Sequence, residues 1–165
     1  MKVKGLFFIQ CAIYCLISIS CYSQESIVGS WSKEAISTDI RVNDVPFLDY
    51  AQKLGLPEDQ ARKMVRYLEN EIIPQDVVFV FQSDGTYQIK SDGDHETGTW
   101  SRDTVSKKLE MLKDGDSKVE VLKVVKLTSS DLVLIFEVKQ AQDLNGDGES
   151  ESFYYKATIS FQKRQ

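Results

Sequence analysis

The stretch Asp76–Ser101, "DVVFVFQSDGTYQIKSDGDHETGTWS", decides the reading of this chain. It is three strand-like runs separated by two Asp-Gly turns. Val77, Phe79 and Phe81 alternate on one face of the first run, and Tyr87 and Ile89 on one face of the second. Gly98 and Trp100 do the same in the third. Alternation marks a strand with one buried face, and Asp84-Gly85 between two such runs is a strong signal for a two-residue hairpin. Asp92-Gly93 repeats it.

The same grammar continues to the C-terminus. "LEML" is followed by the turn "KDGDSK", "VEVLKVVKL" by "TSSD", and "LVLIFEV" by the longer connection "DLNGDGESE". The last run, "FYYKATISFQ", sets Phe153, Tyr155, Ala157, Ile159 and Phe161 against polar neighbours. With a first strand at "IVGSWSKEAIS", the chain holds about eight strands joined in order by tight turns. A meander of that length is able to close into an up-and-down antiparallel barrel and so remove its exposed edges. A pair of packed sheets is the competing architecture.

One stretch breaks the pattern. Between about 45 and 73, "PFLDYAQKLG" spaces Phe47, Ala51 and Leu54 as a helix does. "LPEDQARKMVRYLENEII" places Ala61, Met64, Val65, Leu68 and Ile72 on one stripe. Pro57 suits a first helical position, Glu58 and Asp59 suit the positive end of the helix dipole, and Pro74 ends the run. Two amphipathic helices are therefore expected between the first strand and the second. Met64 and Tyr67 read as packing residues rather than cofactor contacts.

The N-terminal segment is expected to lie outside the fold. Lys2 and Lys4 precede an apolar run from Leu6 to about Ile19, then small and polar residues. That order is the layout of a secretory signal peptide, and the run is too short and polar for a comfortable membrane span. Cleavage after Ser23 leaves 24–165 as a single domain, exported to the periplasm or beyond. Cys11, Cys15 and Cys21 all fall in the leader, so the mature chain has no thiol and no disulfide. The other reading is a lipoprotein anchored to membrane through Cys21, although "SISC" lacks the leucine-like residue expected three positions upstream.

Of 165 residues, 42% are apolar and 27% charged, with a net charge of −5. These values fit an ordinary globular domain and argue against a nucleic-acid partner. Catalysis is not expected either. His95 is the only histidine, and the sequence has no Gly-x-Ser-x-Gly elbow or phosphate loop. Asp94-His95-Glu96 reads as a solvated turn rather than a metal site.

"DLNGDGESE", Asp143 to Glu151, opens like a calcium loop, with Asp143, Asn145 and Asp147 at positions 1, 3 and 5 and Gly148 at the bend. A helical calcium hand needs a bidentate glutamate at position 12, where this chain has Tyr154. The flanks also read as strands. A polar hairpin loop is the simpler reading. The alternative is a looser calcium cage of Asp143, Asn145, Asp147 and Glu149, with Glu151 as a further closing ligand.

Gly29-Ser30-Trp31 on the first strand, "FVFQSDGTYQI" and the later "GTWS" resemble the lipocalin-like barrels exported by bacteria. The resemblance runs from Ile27 to Lys163. It implies that Trp31 packs across the barrel floor and that the interior holds a small apolar ligand. Trp31, Phe79, Phe81, Tyr87, Trp100, Phe136 and Tyr155 are the candidate lining residues. The helical pair also resembles the lid of intracellular fatty-acid-binding barrels. That family binds a carboxylate through inward arginine and tyrosine, and the last strand here carries no inward arginine. Lys123, between Val121 and Val125, is the one candidate inward cation, although such a lysine more often marks a bulge or sits near a rim and snorkels out.

In a meander, alternate connections share an end. The helical insertion then lies with "SDGDHE", "KDGDSK" and "DLNGDGESE", so a mouth at that end is ringed by acids. The ligand expected there is neutral or cationic. Large inward aromatics are equally able to fill the barrel, which would make it a structural or protein-interaction module of the cell envelope. Oligomeric state is not legible.

Overall fold

The computed structural model describes residues 26–72, 74, 76–144, 146 and 148–164. The expected leader, Cys21, Asn145 and Asp147 lie outside them. The strands are β1 (Gly29–Val42), β2 (Val45–Pro46), β3 (Val78–Phe81), β4 (Thr86–Ser91), β5 (Asp94–Asp103), β6 (Lys108–Lys113), β7 (Val119–Leu127), β8 (Asp131–Gln142) and β9 (Glu151–Lys163). Helices α1 (Phe47–Lys53) and α2 (Glu58–Ile72) lie between β2 and β3. No helix among the described residues is long and apolar enough to cross a membrane.

Eight strands, β1 and β3 to β9, form a closed up-and-down antiparallel barrel. Closure comes from β1 against β9, in register from Trp31 opposite Lys163 to Val42 opposite Phe153, with a bulge between Lys33 and Ala35. The β1–β3 ladder is short and ends at Ser32 opposite Val78. Above that point α2 lies along β1, and the Thr38 hydroxyl donates to Glu69 Oε1 at 2.7 Å. Both Asp-Gly turns form, with Gly85 and Gly93 at φ of +86° and +82°, the left-handed region that glycine enters freely. The first is longer than the expected two residues: Gln82 N–H donates to Thr86 O across Ser83, Asp84 and Gly85.

Several strands outrun the sequence reading. β1 continues to Val42 and then folds back through Asn43-Asp44, both at positive φ, into β2. β5 begins at Asp94, so the turn before it shrinks to Asp92-Gly93. The β5 extension is polar and is held by its pairing with β4, whereas the β1 extension pairs with β9 and carries Ile40 and Val42 on its buried face.

Three side-chain expectations are corrected. Met64 and Tyr67 are 48% and 64% exposed, while Ala61, Val65 and Leu68 face the core, so the packing stripe of α2 is narrower than read. Lys123 is outward and exposed, because Leu122 and Val124 are the inward residues of β7. Val121 and Val125 therefore also point to solvent. Pro57 sits just before α2 rather than in its first position, with its carbonyl accepting from Gln60 and Ala61 N–H.

The core divides into tiers. Trp31, Phe81, Leu109, Leu132 and Phe161, all essentially inaccessible, pack at the end where β1 begins and β9 finishes. Trp100 stacks edge-on against Phe81 with centroids 5.5 Å apart, and its indole N–H donates to Gln82 O. This end is filled, and the helices lie toward the other.

Candidate functional site

A cavity of about 390 Å³ opens above the aromatic floor. Its walls are Val77, Phe79, Ile89, Met111, Leu122, Leu134, Phe136 and Ile159, with Pro74 at the rim. Polar lining comes from Ser91, Asp94, Glu96 and Glu120. The volume lies within the ~300–1,000 Å³ range of small-molecule sites.

Strand alternation explains the arrangement. Ile89 and Ser91 occupy inward positions of β4. On β5, Asp94 and Glu96 share the face of Gly98 and Trp100, and His95 falls on the other face. The Asp94-His95-Glu96 stretch is thus strand, with its two acids inside and its imidazole outside. On β7, Glu120 shares the face of Leu122 and Val124, opposite Met111 on β6. The carboxylates therefore line the β4–β7 side of the mouth, and the β8–β9 side is apolar.

Glu96 anchors this acidic wall. It accepts a hydrogen bond from the Tyr87 hydroxyl at 2.9 Å and pairs with Lys113 Nζ at 2.9 Å. Burial raises the pKa of the Tyr87 phenol well above its ordinary value, and the bond to Glu96 adds to the shift. The phenol thus stays protonated and holds the Glu96 carboxylate in place.

The expected lining residues separate into three groups. Phe79 and Phe136 line the cavity. Trp31, Phe81 and Trp100 belong to the filled floor, and Tyr87 lies behind the acidic wall with its ring over Gly98. Tyr155 packs against Phe136, with centroids 6.3 Å apart, on the side toward the helices. Met111, Leu122, Leu134 and Ile159 also line the cavity. The inward parity of Leu134 and Ile159 was readable, that of Leu122 was not, and none of their heights along the barrel was. Of residues 47–53 and 58–70 of the two helices, none lines the cavity. The covering segment is Pro74 and Val77, just after α2.

The Tyr155 hydroxyl is buried without a hydrogen-bond partner among the described residues. Burial, with Glu69 as a smaller contributor, pushes its pKa up from 10.0 to about 12. A raised folded-state pKa stabilises the fold below the unfolded value, and that stability is lost as pH climbs from about 10 to about 12. Tyr155→Phe removes an unsatisfied donor, so it is expected to match or exceed the native stability by ~1 kcal/mol at neutral pH. It should also flatten the alkaline limb, as chemical denaturation across pH 8–12 would read.

Asp143 is committed to its own loop. Its two carboxylate oxygens accept from Gly146 N at 2.6 Å and Gly148 N at 3.0 Å. Glu151, 7% exposed, accepts from Tyr50 OH on α1 and from Leu144 N. Glu151 thereby ties the first helix to the β8–β9 loop. Asn145 and Asp147, the other proposed calcium ligands, lie outside the described residues.

No protein-family model matches the chain. No curated protein matches it either. Among solved structures, the chain is similar to a DUF4847 family protein from Bacteroides vulgatus ATCC 8482, whose crystal structure is at 1.00 Å resolution. The two are 14% identical over 83% of this chain and 94% of that one, with a TM-score of 0.41, a distant likeness that carries no functional argument.

Proposed function

We propose that this chain is an exported, lipocalin-like binding protein whose barrel takes up a small apolar ligand, neutral or cationic. The observation that carries the reading is the cavity of about 390 Å³, apolar on most of its wall and edged by Asp94, Glu96 and Glu120, with no lysine or arginine among the described residues of its lining. An acidic edge raises the local concentration of cations and disfavours anions. Fluorescent apolar probes of opposite charge test this. The cationic probe is expected to bind more tightly, and tighter binding of the anionic one overturns the charge preference. The export reading rests on the leader: N-terminal sequencing of the mature form is expected to start at Gln24, whereas a lipid on Cys21 would place the protein on a membrane.

A second reading is a protein-interaction module of the cell envelope. Val119, Val121 and Val125 favour it, because they are 46%, 46% and 51% exposed on the outer face of β7. Failure of both probes to bind would favour this reading.

We propose no cofactor and no catalysis for either reading, and assign the Asp143–Glu151 loop to a self-supported hairpin. Calorimetry with millimolar calcium, the weak extracellular range, is expected to give the same heat for the native chain and Asp143→Ala. Heat lost only in the variant would establish a calcium site.

A further inference from the structure

We infer that the ligand class is a primary amine with a linear apolar tail, and that Glu96 and Glu120 set that specificity. This inference rests on the binding reading above. Three observations carry it. The first is segregation: Asp94, Glu96 and Glu120 edge the cavity on the β4–β7 side, and Leu134, Phe136 and Ile159 line the β8–β9 side. A cavity divided in this way fits a molecule with its charge at one end.

The second is fixed direction. Asp94, Glu96 and Glu120 are strand residues at inward register, alternating with outward His95 and Val121. Acids that only solubilise a turn have no reason to face the barrel axis. The third is that the wall already receives an ammonium. Lys113 reaches Glu96 Oε2 at 2.9 Å, and its own side chain is 51% exposed. A ligand ammonium entering from the apolar side can replace it on a carboxylate that the Tyr87 hydroxyl holds in place. An exposed lysine released to solvent loses little, since such pairs contribute weakly, whereas the ligand also buries its tail.

The test uses the full mature chain with n-decylamine and 1-decanol, which share a tail and differ in charge at neutral pH, titrated by calorimetry. In the native protein the amine is expected to bind roughly tenfold more tightly than the alcohol, the effect of one favourable partly desolvated charge contact. Glu96→Gln and Glu120→Gln should each reduce that ratio several-fold, and Lys113→Gln should raise it. The Gln variants keep the side-chain shape, and Glu120 is exposed, so its variant remains informative if Glu96→Gln folds poorly. A ratio near one in the native protein overturns the inference while leaving the binding reading intact. A ratio that survives both Glu substitutions overturns the assignment to this wall. If neither compound binds, both readings are overturned.

Discussion

Gly98→Ala is expected to destabilise the barrel by roughly 3 kcal/mol, at the upper end of the range for overpacked cores. A glycine-to-alanine change in a strand ordinarily helps slightly, by restricting the unfolded chain. Here the new methyl has no room. A Cβ on Gly98 collides with the Leu112 carbonyl oxygen of β6 and lies 2.7 Å from Tyr87 Cε1 and 2.9 Å from Tyr87 Cζ. The tyrosine ring crosses the floor of β5 because nothing projects from Gly98. The carbonyl belongs to the β5–β6 ladder, where Gly98 lies opposite Lys113 and Thr99 opposite Leu112. Trimming the ring in Gly98→Ala/Tyr87→Leu therefore relieves only part of the strain. Denaturant midpoints are expected to fall strongly for the single variant and to recover only in small part for the double. Full recovery would show that the ring alone sets the constraint. Displacing Tyr87 also removes the hydroxyl that holds Glu96, so any Gly98 variant that still folds should lose discrimination between amine and alcohol.

Where the sequence was legible, local chemistry and tertiary packing agreed. Asp84-Gly85 and Asp92-Gly93 mark turns because a left-handed residue is needed there, and only a few residue types take that backbone cheaply. The meander order then followed from turn lengths, and with it the sharing of one end by the helices and the acidic connections. Legibility failed where parity was ambiguous. "VEVLKVVKL" has apolar residues on both faces, and its valines suggested an inward face that Leu122 and Val124 occupy. Correct parity would also have placed Glu120 inside. Height along the barrel was the other loss. Trp31, Phe81 and Phe136 look alike as inward aromatics, yet the first two seal the floor and the third lines the cavity. That distinction depends on the stagger between strands, such as the bulge between Lys33 and Ala35, which no single strand reveals.

Trp31→Ala is expected to cost about 4 kcal/mol, within the range for removing a large aromatic from a core. That is a large share of the ~5–15 kcal/mol by which such a domain is stable. Trp31 is fully buried, and its indole N–H donates to the Ile27 carbonyl at 2.6 Å. Lys163 Nζ lies 5.3 Å from the ring centroid, so the indole joins the N-terminal lead-in to the last residues of β9. Truncation opens a void in the floor, orphans a buried carbonyl and frees that junction together. Trp31→Phe fills most of the void but still loses the hydrogen bond, so its expected cost is ~1–2 kcal/mol. The two variants also separate floor from site. Trp31 is absent from the cavity wall. A folded Trp31→Phe protein should then bind the cationic probe within a few-fold of the native chain, because Trp31 meets the cavity only through its cross-strand partner Phe79. A loss of affinity well beyond that would make the tryptophan a ligand contact and would extend the cavity down to the barrel floor.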